Sequence, residues 1–229
     1  MRTAAIALFA LLTATMAAGC GSNDEPYKAA PAWSGRKPNV AQVPTLPNLS
    51  VKVADSYTIA GASHHLKSRY HAGEVTEKDI SLTGYIVESN IPTAPSCAIH
   101  KTGKKDDDDC KSDIPTFWIA DSKTEAKARV RVMGWAKNFA TVYDAMEKYK
   151  GLKEAPKELV KDEIWQVDVP FPLPSVGAKV KVTGKYGYTF GKSSTGLVSD
   201  PQYGVMTYSK IEVLEPAPEP AAFKNKPGK

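Results

Sequence analysis

Alternation of hydrophobic and polar residues predicts five β-strands in the central part of the chain. Neighbouring side chains of a strand point to opposite faces, so a sheet with one buried face shows a period of two. The clearest example is the segment 128–133, in which two arginines alternate with two valines. The five predicted strands span residues 80–88, 117–121, 128–133, 179–186 and 203–214.

A period of three to four residues predicts a helix before the first strand. Its apolar stripe follows Thr58, a residue type that caps helices, and consists of Ile59, Ala62, Leu66 and Tyr70. The opposite face of this segment is polar. We therefore expect a short amphipathic helix of about three turns.

The same period predicts a second helix at 138–150, between the third and fourth strands. Its apolar stripe consists of Phe139, Val142, Met146 and Tyr149. The pattern stops at a glycine, which commonly follows the last turn of a helix. A further short helical segment is expected at 156–163.

The order of these elements is typical of an OB-fold, a five-stranded barrel with a helix between its third and fourth strands. Barrel strands bend where a side chain is missing, and Gly84 and Gly184 lie partway along the first and fourth predicted strands. The sequence therefore predicts a mainly β protein with helices. We expect a five-stranded OB-fold-like barrel over residues 51–214, with one helix before strand 1 and one between strands 3 and 4.

Both ends of the chain are rich in proline and lack a hydrophobic period. Nine of the 17 prolines lie in residues 20–50 and 215–229. Such composition favours extended chain without a buried face. We interpret residues 20–50 as a tether and residues 215–229 as a disordered tail of prolines and lysines.

The first 19 residues have the layout of a signal peptide. Arg2 precedes an apolar stretch that ends in small residues. A transmembrane helix is the weaker interpretation, because a bilayer core requires about 20 apolar residues and this stretch is shorter. The sequence therefore predicts export from the cytoplasm.

The end of this stretch, Ala-Ala-Gly-Cys at 17–20, resembles the lipobox of bacterial lipoproteins. The resemblance implies that Cys20 becomes the new N-terminus and carries acyl chains such as palmitate. Ala17 departs from the lipobox pattern, because leucine is usual at this position. This departure leaves an alternative open, in which the signal peptide is cleaved at an alanine and no acyl chain is added. A glycine directly after the cysteine, here Gly21, rather than an aspartate, resembles the sequence of lipoproteins that are passed on to the outer membrane. We expect a cell-envelope protein held at the outer membrane by lipid.

Once Cys20 is assigned to lipid, Cys97 and Cys110 remain. An even pair in an oxidising compartment favours a disulfide, which would close a loop between the first and second strands. The alternative is a metal-binding or redox site that uses Cys97, His100 and Cys110, next to four aspartates at 106–109. Structural zinc sites usually repeat a CxxC or HxxxH pair, and the chain contains neither. We therefore predict the disulfide.

Several short segments resemble a group of proteobacterial, especially myxobacterial, lipoproteins. These segments are TGYIV at 83–87, APSCAIHKTG at 94–103, FWIAD at 117–121 and VMGW at 132–135. The similar region runs from residue 57 to 149. The group has no established activity, so the resemblance implies a lipoprotein and carries over no functional residue.

Composition and charge exclude several classes of protein. Hydrophobic residues make up 42% and charged residues 24% of the chain, which fits a globular domain rather than a disordered or polytopic membrane protein. A formal net charge of +5 is too small to indicate nucleic-acid binding. No GxSxG, HExxH or phosphate-binding glycine loop occurs. We expect a protein that is not an enzyme and has no cofactor.

Three histidines, His64, His65 and His71, lie on or just after the first predicted helix. His64 and His71 are seven residues apart, which places them on one side of a helix. A metal-binding pair usually has a spacing of three or four residues. We therefore interpret these histidines as exposed polar residues and predict no metal site.

An OB-fold binds ligands on the face of its second and third strands. This rule gives a candidate binding face that consists of Trp118, Arg129, Arg131 and Trp135, although both tryptophans also suit the core. Lysines beside Tyr186, Tyr188 and Phe190 would suit single-stranded nucleic acid, but an envelope protein meets little of it. The sequence thus predicts a membrane-anchored lipoprotein that acts as a non-catalytic binding or structural module, with an envelope glycan or protein as its partner.

Replacement of Cys20 with Ser should release the protein from the membrane, because the acylated side chain is lost. The measurement is fractionation of cells that express either form. Ser22→Ala leaves the cysteine intact and is the matched control, which should stay in the membrane fraction. Retention of the Cys20→Ser form in membranes would contradict a lipid anchor at this residue.

Overall fold

The protein is described here from a computed structural model that covers residues 50–99, 109–125, 127–192 and 196–227. The predicted signal peptide, Cys20 and almost all of the tether lie outside these residues, as does His100. Within the described ranges, no helix is long and apolar enough to cross a membrane.

The described residues form three α-helices and eleven strands. The helices are α1 (Ile59–Lys67), α2 (Ala72–Thr76) and α3 (Phe139–Tyr149). The first five strands are β1 (Lys52–Val53), β2 (Ser56–Tyr57), β3 (Asp79–Ser89), β4 (Phe117–Ala120) and β5 (Arg129–Met133). The others are β6 (Lys161–Asp162), β7 (Val167–Asp168), β8 (Lys179–Gly187), β9 (Thr189–Gly191), β10 (Leu197–Ser199) and β11 (Val205–Glu215).

Five of these strands close into a ring within one mixed, seven-stranded sheet. β3 pairs with β4, β4 pairs with β5, and β11 pairs with β8, all antiparallel. β5 and β11 pair in parallel, and β8 returns to β3 in an antiparallel pairing that closes the ring. β2 extends the sheet beside β3, and β1 pairs with β2. The prediction of a mainly β protein with helices is confirmed, with α1 before β3 and α3 between β5 and β8.

The hydrophobic core lies within the ring. Alternate residues of all five strands are buried and belong to one cluster: Ile80, Leu82, Ile86, Phe117, Ile119, Val130, Val132, Val180, Val182, Met206 and Tyr208. Full burial of one such side chain stabilises a fold by about 1.5–3 kcal/mol. The period of two in the sequence therefore reflects an inside and an outside of the ring.

Helix α1 begins where two side chains bind its free backbone N–H groups. Thr58 Oγ1 accepts a hydrogen bond from the Gly61 amide, which confirms the predicted cap. Asp121, directly after β4, accepts hydrogen bonds from the amides of Ile59 and Ala60 at 2.7 and 2.8 Å. The helix ends at Lys67, so the prediction that Tyr70 extends its apolar stripe is wrong, and Tyr70 is 93% exposed.

Helix α3 confirms the predicted stripe. Val142 and Tyr149 belong to the same buried core cluster as the ring strands, and Met146 packs against this cluster. Phe139 is buried in a separate cluster. The helix predicted at 156–163 is wrong, because Lys161–Asp162 forms strand β6 there.

The buried carboxylate of Asp162 explains this local structure. It accepts hydrogen bonds from the backbone amides of Lys137, Ile164 and Trp165 at 2.7–3.0 Å. These bonds satisfy a charge that is 1% exposed. Helix propensity does not reveal such an anchor, since its partners lie up to 25 residues away.

The C-terminal segment packs on the folded part, whereas the sequence predicts no buried face for it. Ala217, Ala221 and Phe223 contact the core cluster, and the Ala221 amide donates a hydrogen bond to Ser175 Oγ at 2.8 Å. The Phe223 ring lies 6.2 Å from that of Phe139. A few apolar residues among prolines show no period, because the shape of the receiving surface sets their spacing.

Gly84 and Gly184 lie where a neighbouring strand leaves no room for a side chain. A Cβ on Gly84 would lie 2.7 Å from the Ala120 carbonyl oxygen. A Cβ on Gly184 would lie 1.9 Å from the Thr207 carbonyl oxygen. The pairing of β8 with β11 shifts register close to this contact. The two glycines therefore permit a close approach of neighbouring strands at the positions where the sequence predicts that the barrel strands bend.

Gly184→Ala should lower the free energy of unfolding by about 1–3 kcal/mol or more, because the new methyl group meets backbone that cannot rotate away. Gly187→Ala is the matched control: it lies on the same strand, and no atom is within 4 Å of its added Cβ. Urea unfolding of both variants is the measurement. Equal stability of the two variants would contradict the close approach.

Candidate functional site

Trp118 and two arginines form a cluster on the outer side of β4 and β5, which we call the Trp–Arg face. Trp118 and Arg131 are directly paired across the two strands. Arg129 lies two residues before Arg131, so its side chain leaves the sheet on the same side. The guanidinium carbons of both arginines lie 5.4 Å from the centre of the Trp118 ring. This distance is typical of cation–π contacts.

The charges of the two arginines are not equivalent. Arg129 forms an ion pair with Glu88 of β3, which lies opposite Trp118 on the other side of β4. Arg131 has no ion-pair partner among the described residues, and its Nε is buried without a hydrogen bond there. The Trp–Arg face therefore presents one uncompensated cation against a half-buried aromatic ring.

Trp135 is not part of this face, so its predicted place there is wrong. The side chain is fully buried, and its ring lies 6.2 Å from that of Phe117 in the core. Strand β5 ends at Met133, and Gly134 adopts a φ of +89°. This left-handed conformation turns the chain, so that Trp135 enters the core.

Of the three aromatic residues that would suit single-stranded nucleic acid, Tyr188 alone is exposed in the described part of the chain. Tyr186 and Phe190 are buried, at 2% and 1% exposure, and cannot stack on bases. Lys181 forms an ion pair with Asp55 at 2.7 Å, and Lys179 forms one with Glu215 at 3.4 Å. The hydrogen bond with Glu215 raises the pKa of Lys179. These groups serve the fold rather than a free basic surface.

Cys97 and Cys110 form the predicted disulfide. Their sulfurs are 2.04 Å apart and their Cα atoms 5.9 Å apart. Ala98 and Ile99, next to Cys97, are buried with Phe139 of α3, and Cys110 packs against the same cluster. The disulfide thus belongs to a loop that Ala98 and Ile99 anchor in the small cluster around Phe139. With both sulfurs bonded, the alternative Cys–His metal site lacks its two thiolates.

The histidines meet in a way that helix periodicity does not predict. Because α1 ends at Lys67, His71 is not on the helix side of His64 but lies over His65, with the ring centres 4.9 Å apart. Glu74 of α2 completes a cluster: its Oε1 is 2.7 Å from His71 Nδ1, and its Oε2 is 3.5 Å from His65 Nδ1.

Burial and charge set the protonation of this cluster. Burial lowers the pKa of His65, against the opposing effect of the Glu74 carboxylate. The hydrogen bond with His71 lowers the pKa of Glu74. The sequence pattern pairs His71 with His64 and does not indicate Glu74, and the interpretation of His65 as exposed is wrong, because its side chain is 13% exposed. Ser68 is the available signal, since its Oγ accepts hydrogen bonds from the amides of Tyr70 and His71 in the turn that ends the helix.

A largely apolar cavity of about 540 Å³ lies next to the end of α3. Its walls come from α3, from the proline-rich segment 171–175, from β8 and β11, and from residues 216–221. Tyr149 Oη on its wall donates to the Val169 carbonyl and accepts from the Val160 amide, so it is satisfied. Nothing in the described residues indicates what would fill this cavity.

No family model and no curated protein matches the chain. Among solved structures, the chain is similar to a candidate aspartyl-tRNA synthetase from Leishmania major Friedlin, at 10% identity and a TM-score of 0.32, covering 80% of this chain but only 24% of that one. An OBody bound to hen egg-white lysozyme matches at 10% identity and a TM-score of 0.28, covering 63% of this chain and 88% of that one. Similarities this weak bear neither on the fold nor on the function of the chain.

Replacement of Cys97 and Cys110 with Ser should lower the free energy of unfolding by about 3 kcal/mol, the chain-entropy value for a loop of this length. Urea unfolding in the Cys20→Ser background measures this without the lipid. Reductant should destabilise the parent protein by a similar amount and leave the double variant unchanged. Two titratable thiols in parent protein purified without reductant would contradict the disulfide.

Proposed function

We propose that the chain is an envelope lipoprotein, anchored at the outer membrane through Cys20, whose ring of strands is an OB-fold that binds a ligand without catalysis. The strand order supports the fold assignment. The third and fifth ring strands, β5 and β11, pair in parallel, and α3 lies between the third and fourth. An OB-fold carries its ligand on its second and third strands, which here are β4 and β5.

The ligand class that best suits the Trp–Arg face is an acidic glycan. The observation that carries this proposal is the position of two guanidinium carbons, each 5.4 Å from the centre of the Trp118 ring. An aromatic ring packs against the apolar face of a sugar, while a guanidinium group binds a carboxylate with two parallel hydrogen bonds. Arg131 is the better candidate for the carboxylate, because Arg129 already pairs with Glu88.

An acidic glycan is favoured over nucleic acid for two reasons. A binder of single strands needs several exposed aromatic rings along a basic groove, and Tyr186 and Phe190 are buried. A protein anchored in the envelope would also meet acidic polysaccharide far more often than DNA or RNA. The Trp–Arg face offers one ring and one unpaired cation, which is enough for one acidic sugar unit.

Alginate, a polyuronate, is the probe for this proposal. The Cys20→Ser form should bind it with an affinity that falls as salt rises, and Trp118→Ala or Arg131→Ala should weaken binding about tenfold, which corresponds to about 1.4 kcal/mol. Isothermal titration calorimetry is the measurement. Tyr70→Ala and Arg69→Ala remove an exposed aromatic ring and an exposed arginine elsewhere, and these controls should bind normally.

Three results would contradict the proposal. The first is the absence of alginate binding, and the second is equal binding by Trp118→Ala and the parent protein. The third is tighter binding of single-stranded DNA than of alginate. Neutral dextran should bind weakly or not at all, because the carboxylate is the group that Arg131 recognises.

A further inference from the structure

His65, His71 and Glu74 carry a second inference, independent of the Trp–Arg face. We propose that these three residues, which we call the His–Glu cluster, bind a divalent transition-metal ion of the Zn²⁺ type between α1 and α2. His65 lies in the last turn of α1. His71 and Glu74 lie at the start of α2 and are three residues apart.

The separations between the donor atoms suit a metal ion. One ligand atom from each residue lies within 4.8 Å of the other two. Zinc binds imidazole nitrogen at about 2.0–2.1 Å, so two ligands of a tetrahedral ion are about 3.4 Å apart. The observed distances from Glu74 to His71 and His65, 2.7 and 3.5 Å, lie on either side of that value. Small side-chain rotations are therefore sufficient to bring the three donors around one ion.

His65 is the member of the cluster whose side-chain donor atom lacks a hydrogen bond in the described part of the chain. Its side chain is only 13% exposed, and its Nδ1 is buried without a hydrogen bond among the described residues. Buried polar atoms are normally satisfied, and a metal ion between this imidazole nitrogen, the Glu74 carboxylate and the His71 imidazole would satisfy it. The Tyr57 ring packs against His65 at 5.6 Å and helps to keep it in place.

The donor set also selects the class of metal. Two imidazole nitrogens and one carboxylate are typical ligands of zinc and its neighbours in the transition series. Calcium prefers six to eight oxygen ligands, and magnesium keeps most of its water, so neither suits a site with two nitrogens. His71 and Glu74 are about half exposed, with 50% and 48% of their side chains accessible, which leaves room for water as a fourth ligand.

The test is a titration of the full-length chain with Zn²⁺, after purification without a histidine tag and treatment with a chelator. Binding should have a stoichiometry of one, and Zn²⁺ should raise the thermal unfolding temperature. His71→Gln and Glu74→Gln should each weaken binding at least about tenfold, the lower limit for loss of an outer-shell partner. Both side chains are half exposed, so these variants should fold normally.

His64→Gln is the matched control. His64 is adjacent to His65 but outside the His–Glu cluster, with its ring 6.1 Å from that of His65. This variant should bind Zn²⁺ like the parent protein, and Ca²⁺ and Mg²⁺ should not compete. Absence of Zn²⁺ binding, unchanged binding in both cluster variants, or an equal loss in His64→Gln would overturn the proposal.

Discussion

The pairing of β3 with β8 is the constraint on which the rest of the structure depends, because it closes the ring. The first part of β3 pairs with β8, and its last part pairs with β4. Tyr85 belongs to both pairings, opposite Lys179 on one side and Ala120 on the other. Gly84 immediately precedes this change of partner, where a Cβ would meet the Ala120 carbonyl. Closure gives β3 and β8 a paired neighbour on each side, so neither is an edge strand of the sheet.

Two segments outside the ring depend on each other through α3. The disulfide loop contributes Ala98 and Ile99 to a small cluster around Phe139, and Phe223 of the C-terminal segment packs against the same helix residue. Asn225 donates a hydrogen bond to the Ala94 carbonyl, so the C-terminal segment also contacts the loop directly. Among the described residues of the two segments, the buried apolar side chains belong to clusters that also contain residues of α3. The packing of both segments therefore depends on the position of α3. The ring of strands fixes that position, because α3 connects β5 to the later ring strand β8.

The sequence predicts what depends on local period and parity, and it misses what depends on distant contacts. The five ring strands, Thr58 as a cap and the Cys97–Cys110 bond follow from alternation, residue type and cysteine count. The prediction that Trp135 lies on the binding face is wrong because the left-handed Gly134 turns the chain just before it. The helix expected at 156–163 is likewise absent, because Asp162 accepts a hydrogen bond from the distant Lys137 amide and lies in a short strand. The His–Glu cluster is missed because its geometry depends on where α1 ends, one residue before Ser68.

Asp121 relates the two candidate sites to the ring. It follows β4 directly, three residues after Trp118, and its carboxylate accepts hydrogen bonds from the amides of Ile59 and Ala60. A carboxylate at a helix N-terminus satisfies free N–H groups and interacts favourably with the helix dipole. Since α1 is a single short helix, fixing its first turn also fixes its last turn, which carries His65. The strand that presents Trp118 outward therefore sets where His65 can meet His71 and Glu74.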